Sequence, residues 1–211
     1  MTYEAAGALR EPWPDLDRQR QGVELGMWIF LASEILFFGA LLVSYAIYRV
    51  LHPEAFRQAA AQTEILYGTL NTVLLLTSSM TMTIALRAAG AGLRRATLAF
   101  LVVTAALGVG FLLLKGVEYH DDITRNLFPG ANFPLSAPST QLFWTLYWIM
   151  TGVHAIHLSV GIAIVAAVTI LFWRRVIPVQ DSTLGGVALY WHFVDCIWIV
   201  LYPLLYLGGR S

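Results

Sequence analysis

The sequence predicts an all-α, polytopic membrane protein: a bundle of five transmembrane helices with a cytoplasmic N-terminus and a periplasmic C-terminus. Three observations carry this. Hydrophobic residues make up 58% of the 211-residue chain and charged residues only 12%, about half the soluble norm, and the mean hydropathy is +0.67. Five separate stretches are long and apolar enough to cross a bilayer, which takes about 20 residues. Arginines are distributed unevenly between the two sets of flanks, which orients such a bundle. The 13 basic and 13 acidic residues cancel, so the basic excess of a nucleic-acid reader is missing. One cysteine, Cys196, excludes an internal disulfide.

The five spans follow in order. Residues 1–24 form a polar, mixed-charge cytoplasmic tail with Pro12 and Pro14, and 25–207 form the membrane domain. The first span, about 25–48, reads LGMWIFLASEILFFGALLVSYAIY. The second, about 65–86, carries threonines and serines among its leucines. The third covers about 97–119 and the fourth about 142–172, long enough to tilt or protrude. The fifth is 184–207, LGGVALYWHFVDCIWIVLYPLLYL. Between the third and fourth lies a long loop, 120–141, whose Pro129, Gly130, Pro134 and Pro138 disfavour a regular helix. With the N-terminus inside, the inner flanks hold Arg10, Arg18, Arg20, Arg87, Arg94, Arg95, Arg174 and Arg175. The outer flanks hold Arg49, Arg57, Arg125 and Arg210. Eight against four sets the orientation, and Asp121 and Asp122 then fall in a periplasmic loop.

An ionisable group in the membrane costs about 2.5–3.5 kcal/mol on insertion scales and needs a partner or a role. Those here are Glu34, Lys115, Glu118, His154, His157, His192 and Asp195, with Asn71 as a neutral companion. Helical rise puts Glu34 roughly 13 Å from the inner end of its span, and His192 and Asp195 roughly 12 and 16 Å along theirs. These three are expected to form an inner polar layer if the first and fifth spans are neighbours. His192 and Asp195, one turn apart, are expected to satisfy each other as a lock between helices. Lys115 and Glu118 are spaced to pair at i,i+3. His154 and His157 share a face of the fourth span. Trp191, Trp198 and Tyr202 form an aromatic stripe for packing or lipid contact.

Two sharper chemistries fit less well. Di-iron sites in helical bundles use Glu-x-x-His, whereas Glu118 is followed by Tyr119 and His120. A proton path needs groups spanning the membrane, and these form layers. The expectation is therefore a structural polar set, with no catalytic residue, no metal ligand and no cofactor site in this chain.

The same segments resemble a known family. YWHFVDCIWIVLYPLLYL is similar to the last helix of subunit III of the haem-copper oxidases, the cytochrome c oxidase type. GMWIFLASEILFFGALLVSY looks like the family helix with a buried glutamate, here Glu34. LNTVLLLTSS resembles the next, with Asn71; LLKGVEY the one after, with Glu118; and TGVHAIHLSVG the paired-histidine helix, with His154 and His157. The order holds from about 22 to 207. The resemblance implies a non-catalytic subunit of a cytochrome c or quinol oxidase in the bacterial inner membrane. Such a subunit packs against catalytic subunit I, which holds the haem and copper, reduces oxygen to water and pumps protons. It also implies bound phospholipid, protection of the catalytic subunit and support of proton uptake. The longer family form has two further N-terminal helices forming one wall of a lipid cleft; in five-helix forms, such as quinol oxidases of the bo type, another chain supplies them. A short relative accompanying nitric oxide reductases is the alternative, although SEILFF around Glu34 follows the oxidase pattern. An autonomous membrane transporter is the alternative from another class.

Overall fold

A computed structural model describes residues 15–130, 133–134, 138–177 and 183–208. Arg10, Pro12 and Pro14 of the tail, Arg210, and residues 131–132 and 135–137 of the long loop lie outside the described residues. The elements are α1 (Leu16–Leu51), α2 (Pro53–Ala60), α3 (Ile65–Gly90), α4 (Arg94–Thr124), α5 (Pro138–Trp173), α6 (Thr183–Tyr202) and a π-helix (Pro203–Leu207). Among the described residues every regular element is helical. Five stretches are long and apolar enough to cross a membrane: Glu24–Leu51, Ile65–Gly90, Arg94–Thr124, Ser139–Trp173 and Thr183–Leu207.

The five expected spans are present, several of them extended at one or both ends. The first helix begins at Leu16 rather than 25 because Asp15 caps it: its Oδ1 accepts the backbone N–H of Arg18 at 2.7 Å. The 120–141 segment is not all loop. Residues 120–124 finish α4, and α5 starts at Pro138, where the missing proline N–H is no loss in a first turn. An unforeseen helix, α2, follows α1. Pro53 stands in its first turn, Glu54 pairs with Arg57 at 2.7 Å, and Phe56, Ala59 and Ala60 form its buried face. Three helix ends share one stop. Gly92, Asn126 and Arg175 adopt positive φ (71°, 58° and 58°). The next residue's N–H then reaches back to Ala88, Asp122 and Leu171 respectively, at 2.9–3.0 Å.

The chain divides into two compact units, Met1–Phe37 and Phe38–Ser211. The described part of the first is the leading part of α1. In the second, α3, α4, α5 and α6 form a four-membered ring in which each packs on the next and α6 closes on α3. The short α2 packs on α5. The end of α1 is tied in by Tyr45, whose hydroxyl donates to Leu204 O (2.7 Å), and by Arg49, which donates to Gly208 O (2.8 Å).

Association inside a bilayer depends on close packing and polar glue, because lipid is as apolar as leucine. Two glycines let aromatic rings approach the helix backbone closely. A Cβ on Gly68 would lie 2.9 Å from the rings of Tyr202 and Tyr206, and one on Gly108 would lie 2.9 Å from Trp191 and 3.0 Å from Ile162. Gly116 faces open space. Gly108→Val is therefore expected to lower thermal stability in detergent by about 1–3 kcal/mol, while Gly116→Ala leaves it unchanged; equal effects would refute the packing argument.

Candidate functional site

The most concentrated chemistry of the chain is a buried charged cluster on α4. Lys115, Glu118 and Asp122 recur at i, i+3 and i+7, which aligns them on one helical face. That face points into the ring, and the three side chains are 2%, 2% and 3% exposed. Lys115 Nζ lies 3.0 Å from Glu118 Oε2. It also donates to the hydroxyls of Tyr147 on α5 (2.9 Å) and Tyr206 in the π-helix (2.7 Å). Both phenols reach Glu118 Oε1, at 2.7 and 2.6 Å, and Tyr147 lies 3.1 Å from Asp122 Oδ2. The ammonium also sits over the rings of Tyr147 (4.6 Å), Tyr119 (4.9 Å) and Tyr206 (5.4 Å), where ring faces attract a cation.

The π-helix presents Tyr206 to this cluster. Side chains of other elements reach backbone carbonyls in and just after this helix. Tyr45 donates to Leu204 O and Arg49 to Gly208 O, while the Thr63 hydroxyl, which donates to Ala60 O at 2.7 Å, lies 3.5 Å from Leu205 O. At the cluster's outer edge Tyr67 donates to Asp121 (2.8 Å), and Arg125 bridges to Glu64 (2.8 Å).

The other expected residues occupy two further levels of the ring. His154 is fully buried between Phe111 (centroids 5.5 Å apart) and Trp198 (5.1 Å). Neither of its ring nitrogens, nor the amide of buried Asn71, has a hydrogen-bond partner among the described residues. His157 Nδ1 lies 2.9 Å from Val153 O, and its ring packs edge-on against Phe38. Trp191 is buried, not a lipid-facing residue: its indole N–H donates to Ser78 Oγ at 3.1 Å. The companion indole of Trp198 donates to Thr72 (3.1 Å), and Tyr202 shares a 2.7 Å bond with Thr69.

His192 corrects an expectation. Its ring turns to α3 and not to Asp195, with Nδ1 2.7 Å from Ser79 Oγ and Nε2 3.4 Å from Thr83 Oγ1. Asp195 is buried on the same helix near Ser79, but neither of its carboxyl oxygens closes a hydrogen bond among the described residues. The lock between helices thus exists, but hydroxyls supply it, and it joins α3 to α6. Glu34 is half-buried in the first unit; the expected layer with His192 and Asp195 would bridge the two units and stays an expectation. Sequence reasoning missed Asp122, Tyr147 and Tyr206. The i+7 spacing from Lys115 signalled Asp122; the tyrosines carried no local signal.

These features define a multi-pass helical membrane protein with a buried charged cluster among the helices of its second unit. Among the described residues no three His, Cys, Asp or Glu side chains gather as a metal-binding group. The family model described as cytochrome c oxidase subunit III matches residues 17–210. The cytochrome c oxidase subunit 3 of Thermostichus vulcanus is 33% identical over 197 residues, covering 88% of this chain and 87% of that one. The quinol oxidase subunit 3 of Bacillus subtilis is 31% identical over 192 residues (88% and 86%). The cytochrome bo(3) ubiquinol oxidase subunit 3 of Pseudomonas aeruginosa is 28% identical over 185 residues (87% and 84%). The chain belongs to the cytochrome c oxidase subunit III family of the haem-copper oxidases.

Breaking a buried ion pair by removing one partner typically costs about 3–5 kcal/mol, more than replacing both. Lys115→Met is expected to destabilise the purified protein by that order, and Lys115→Met combined with Glu118→Gln to recover part of the loss. Thermal unfolding in detergent checks this; a double variant no better than the single one would show that the pair does not act as a unit.

Proposed function

We propose that this chain serves as the non-catalytic third subunit of a haem-copper terminal oxidase, packed against catalytic subunit I in a bacterial inner membrane. The observation that carries the reading is the family match across residues 17–210, which takes in all five spans. Relatives named as cytochrome c, quinol and ubiquinol oxidase subunits agree with it. In this reading the haem and copper belong to partner chains, and this chain contributes stability, bound phospholipid and support of proton uptake to the complex.

The chain's own chemistry supports a structural role. Lys115 and Glu118 engage each other and two tyrosines, and His192 engages hydroxyls of a neighbouring helix. Meanwhile Val43, Ile47, Val50 and Leu51 on α1 are exposed, more than half of each side chain, which offers apolar surface to lipid or to a partner helix. The arginines support a cytoplasmic N-terminus. Arg87, Arg95, Arg174 and Arg175 are exposed at one end of the ring, while at the other Arg57 and Arg125 are neutralised by Glu54 and Glu64. The free positive charge thus concentrates on the end assigned to the cytoplasm.

Purification of the native protein by a tag on this chain is expected to bring down a haem-containing partner, and the complex is expected to consume oxygen. A complex that reduces nitric oxide instead, or a chain that emerges without a haem protein, would overturn the reading. His192→Leu is expected to loosen this association while leaving turnover of the intact complex unchanged. Loss of initial turnover in a fully assembled variant would contradict a structural role.

A further inference from the structure

The Lys115 cluster contains one carboxyl more than its cation can balance, and a count of hydrogens shows where the excess is met. The ammonium donates to two phenol oxygens, Tyr147 Oη at 2.9 Å and Tyr206 Oη at 2.7 Å, and Glu118 Oε2 lies 3.0 Å away as its counter-ion. Each phenol then has a single proton to give. Tyr206 gives its proton to Glu118 Oε1 at 2.6 Å. Tyr147 lies 2.7 Å from Glu118 Oε1 and 3.1 Å from Asp122 Oδ2, and it can serve only one of them. Glu118 takes the shorter bond, and its charge is balanced by Lys115.

Asp122 is then left facing the oxygen of Tyr147 across 3.1 Å, with no proton between them. A carboxylate there would be an uncompensated charge in a site 3% exposed, which is costly. Two cations attract such a charge, but each is paired with another carboxylate, Lys115 with Glu118 and Arg125 with Glu64. Arg125, one turn on, is exposed and engaged by Glu64. Tyr67 of α3 serves Asp121, Tyr119 is bonded to Thr151, and Tyr206 serves Glu118. One added proton resolves the count. Tyr147 Oη can accept a second bond while it donates to Glu118.

The geometry points to a buried proton-binding site: Asp122 holds a proton as its carboxylic acid and donates it to Tyr147 Oη. The result is a directed chain from Asp122 through Tyr147 to the Glu118–Lys115 ion pair, with the acid proton and both phenol protons used. The site lies in the last turn of α4. There the backbone carbonyl of Asp122 takes the N–H of Leu127, and residues 123–126 are exposed. The proton therefore exchanges with water at that end of the bundle. The chain also couples the two carboxyls. If Glu118 loses its charge, Asp122 becomes the only carboxylate left to balance Lys115, and its proton leaves.

Infrared spectra of the purified native complex, with this chain labelled in its aspartate carboxyls by 13C, test the site. Wild type at neutral pH is expected to show an aspartic-acid carbonyl band that is lost in Asp122→Asn and lost equally in Glu118→Gln. A wild-type spectrum identical in this region to that of Asp122→Asn, or a band that survives in Glu118→Gln, would overturn the assignment. Should Asp122→Asn fail to accumulate, Tyr147→Phe serves instead. Removal of the acceptor is expected to move the band to higher frequency, and an unmoved or missing band overturns the proposal.

Discussion

An ammonium and a carboxylate sealed inside a membrane bundle impose the constraint on which the rest of this structure depends. Each ion loses its hydration, at several kcal/mol even after relaxation, and recovers that loss only where every proton and lone pair meets a partner. Lys115 and Glu118 recover much of it from each other and from phenols of two other segments, Tyr147 of α5 and Tyr206 of the π-helix. Successive residues on a helix point about 100° apart, so turning any of the three segments by one residue would swing its group out of reach. The cluster thereby sets the rotation of three elements at once. The π-helix is held for this role by Tyr45 and Arg49, which donate to Leu204 O and to Gly208 O just after it.

A second set of bonds sets the seam between α3 and α6. Thr69, Thr72, Ser78 and Ser79 on α3 meet Tyr202, Trp198, Trp191 and His192 on α6, one pair after another along two antiparallel helices. Small hydroxyl residues suit this role because they let backbones approach while still offering a polar atom. Gly68 and Gly108 serve the same purpose by making room for the rings of Tyr202, Tyr206 and Trp191. The aromatic side chains of α6 thus combine bulk with one donor each, and neither Trp191 nor Trp198 is left for lipid.

Membership of the cytochrome c oxidase subunit III family gives this construction a setting. A bundle that resolves its internal charges within itself can leave an apolar exterior for contact, and the outward residues of α1 provide one. The buried polar groups confer shape and rigidity on the bundle itself. Arg87, Arg95, Arg174 and Arg175 are exposed at one end of the ring, and at the other Arg57 and Arg125 are paired with Glu54 and Glu64.

The five spans, the intramembrane ionisable residues and the family were legible in the sequence, because hydropathy over about 20 residues, helical spacing and motif order are properties of local segments. The Lys115–Glu118 pair was legible for the same reason: both partners lie on one turn. The helix ends were less so. Asp122 looked like a loop residue because the stop depends on a backbone turn at Asn126, where φ is 58°. The partners of His192 and the roles of Tyr147 and Tyr206 were decided only by the tertiary structure. A tyrosine in an apolar run reads the same whether it faces lipid or a lysine, and bonds linking residues 79 and 192, or 118 and 206, depend on which helices are neighbours and how each is rotated. Sequence determined which groups enter the membrane; the packing of the ring decided which of them meet.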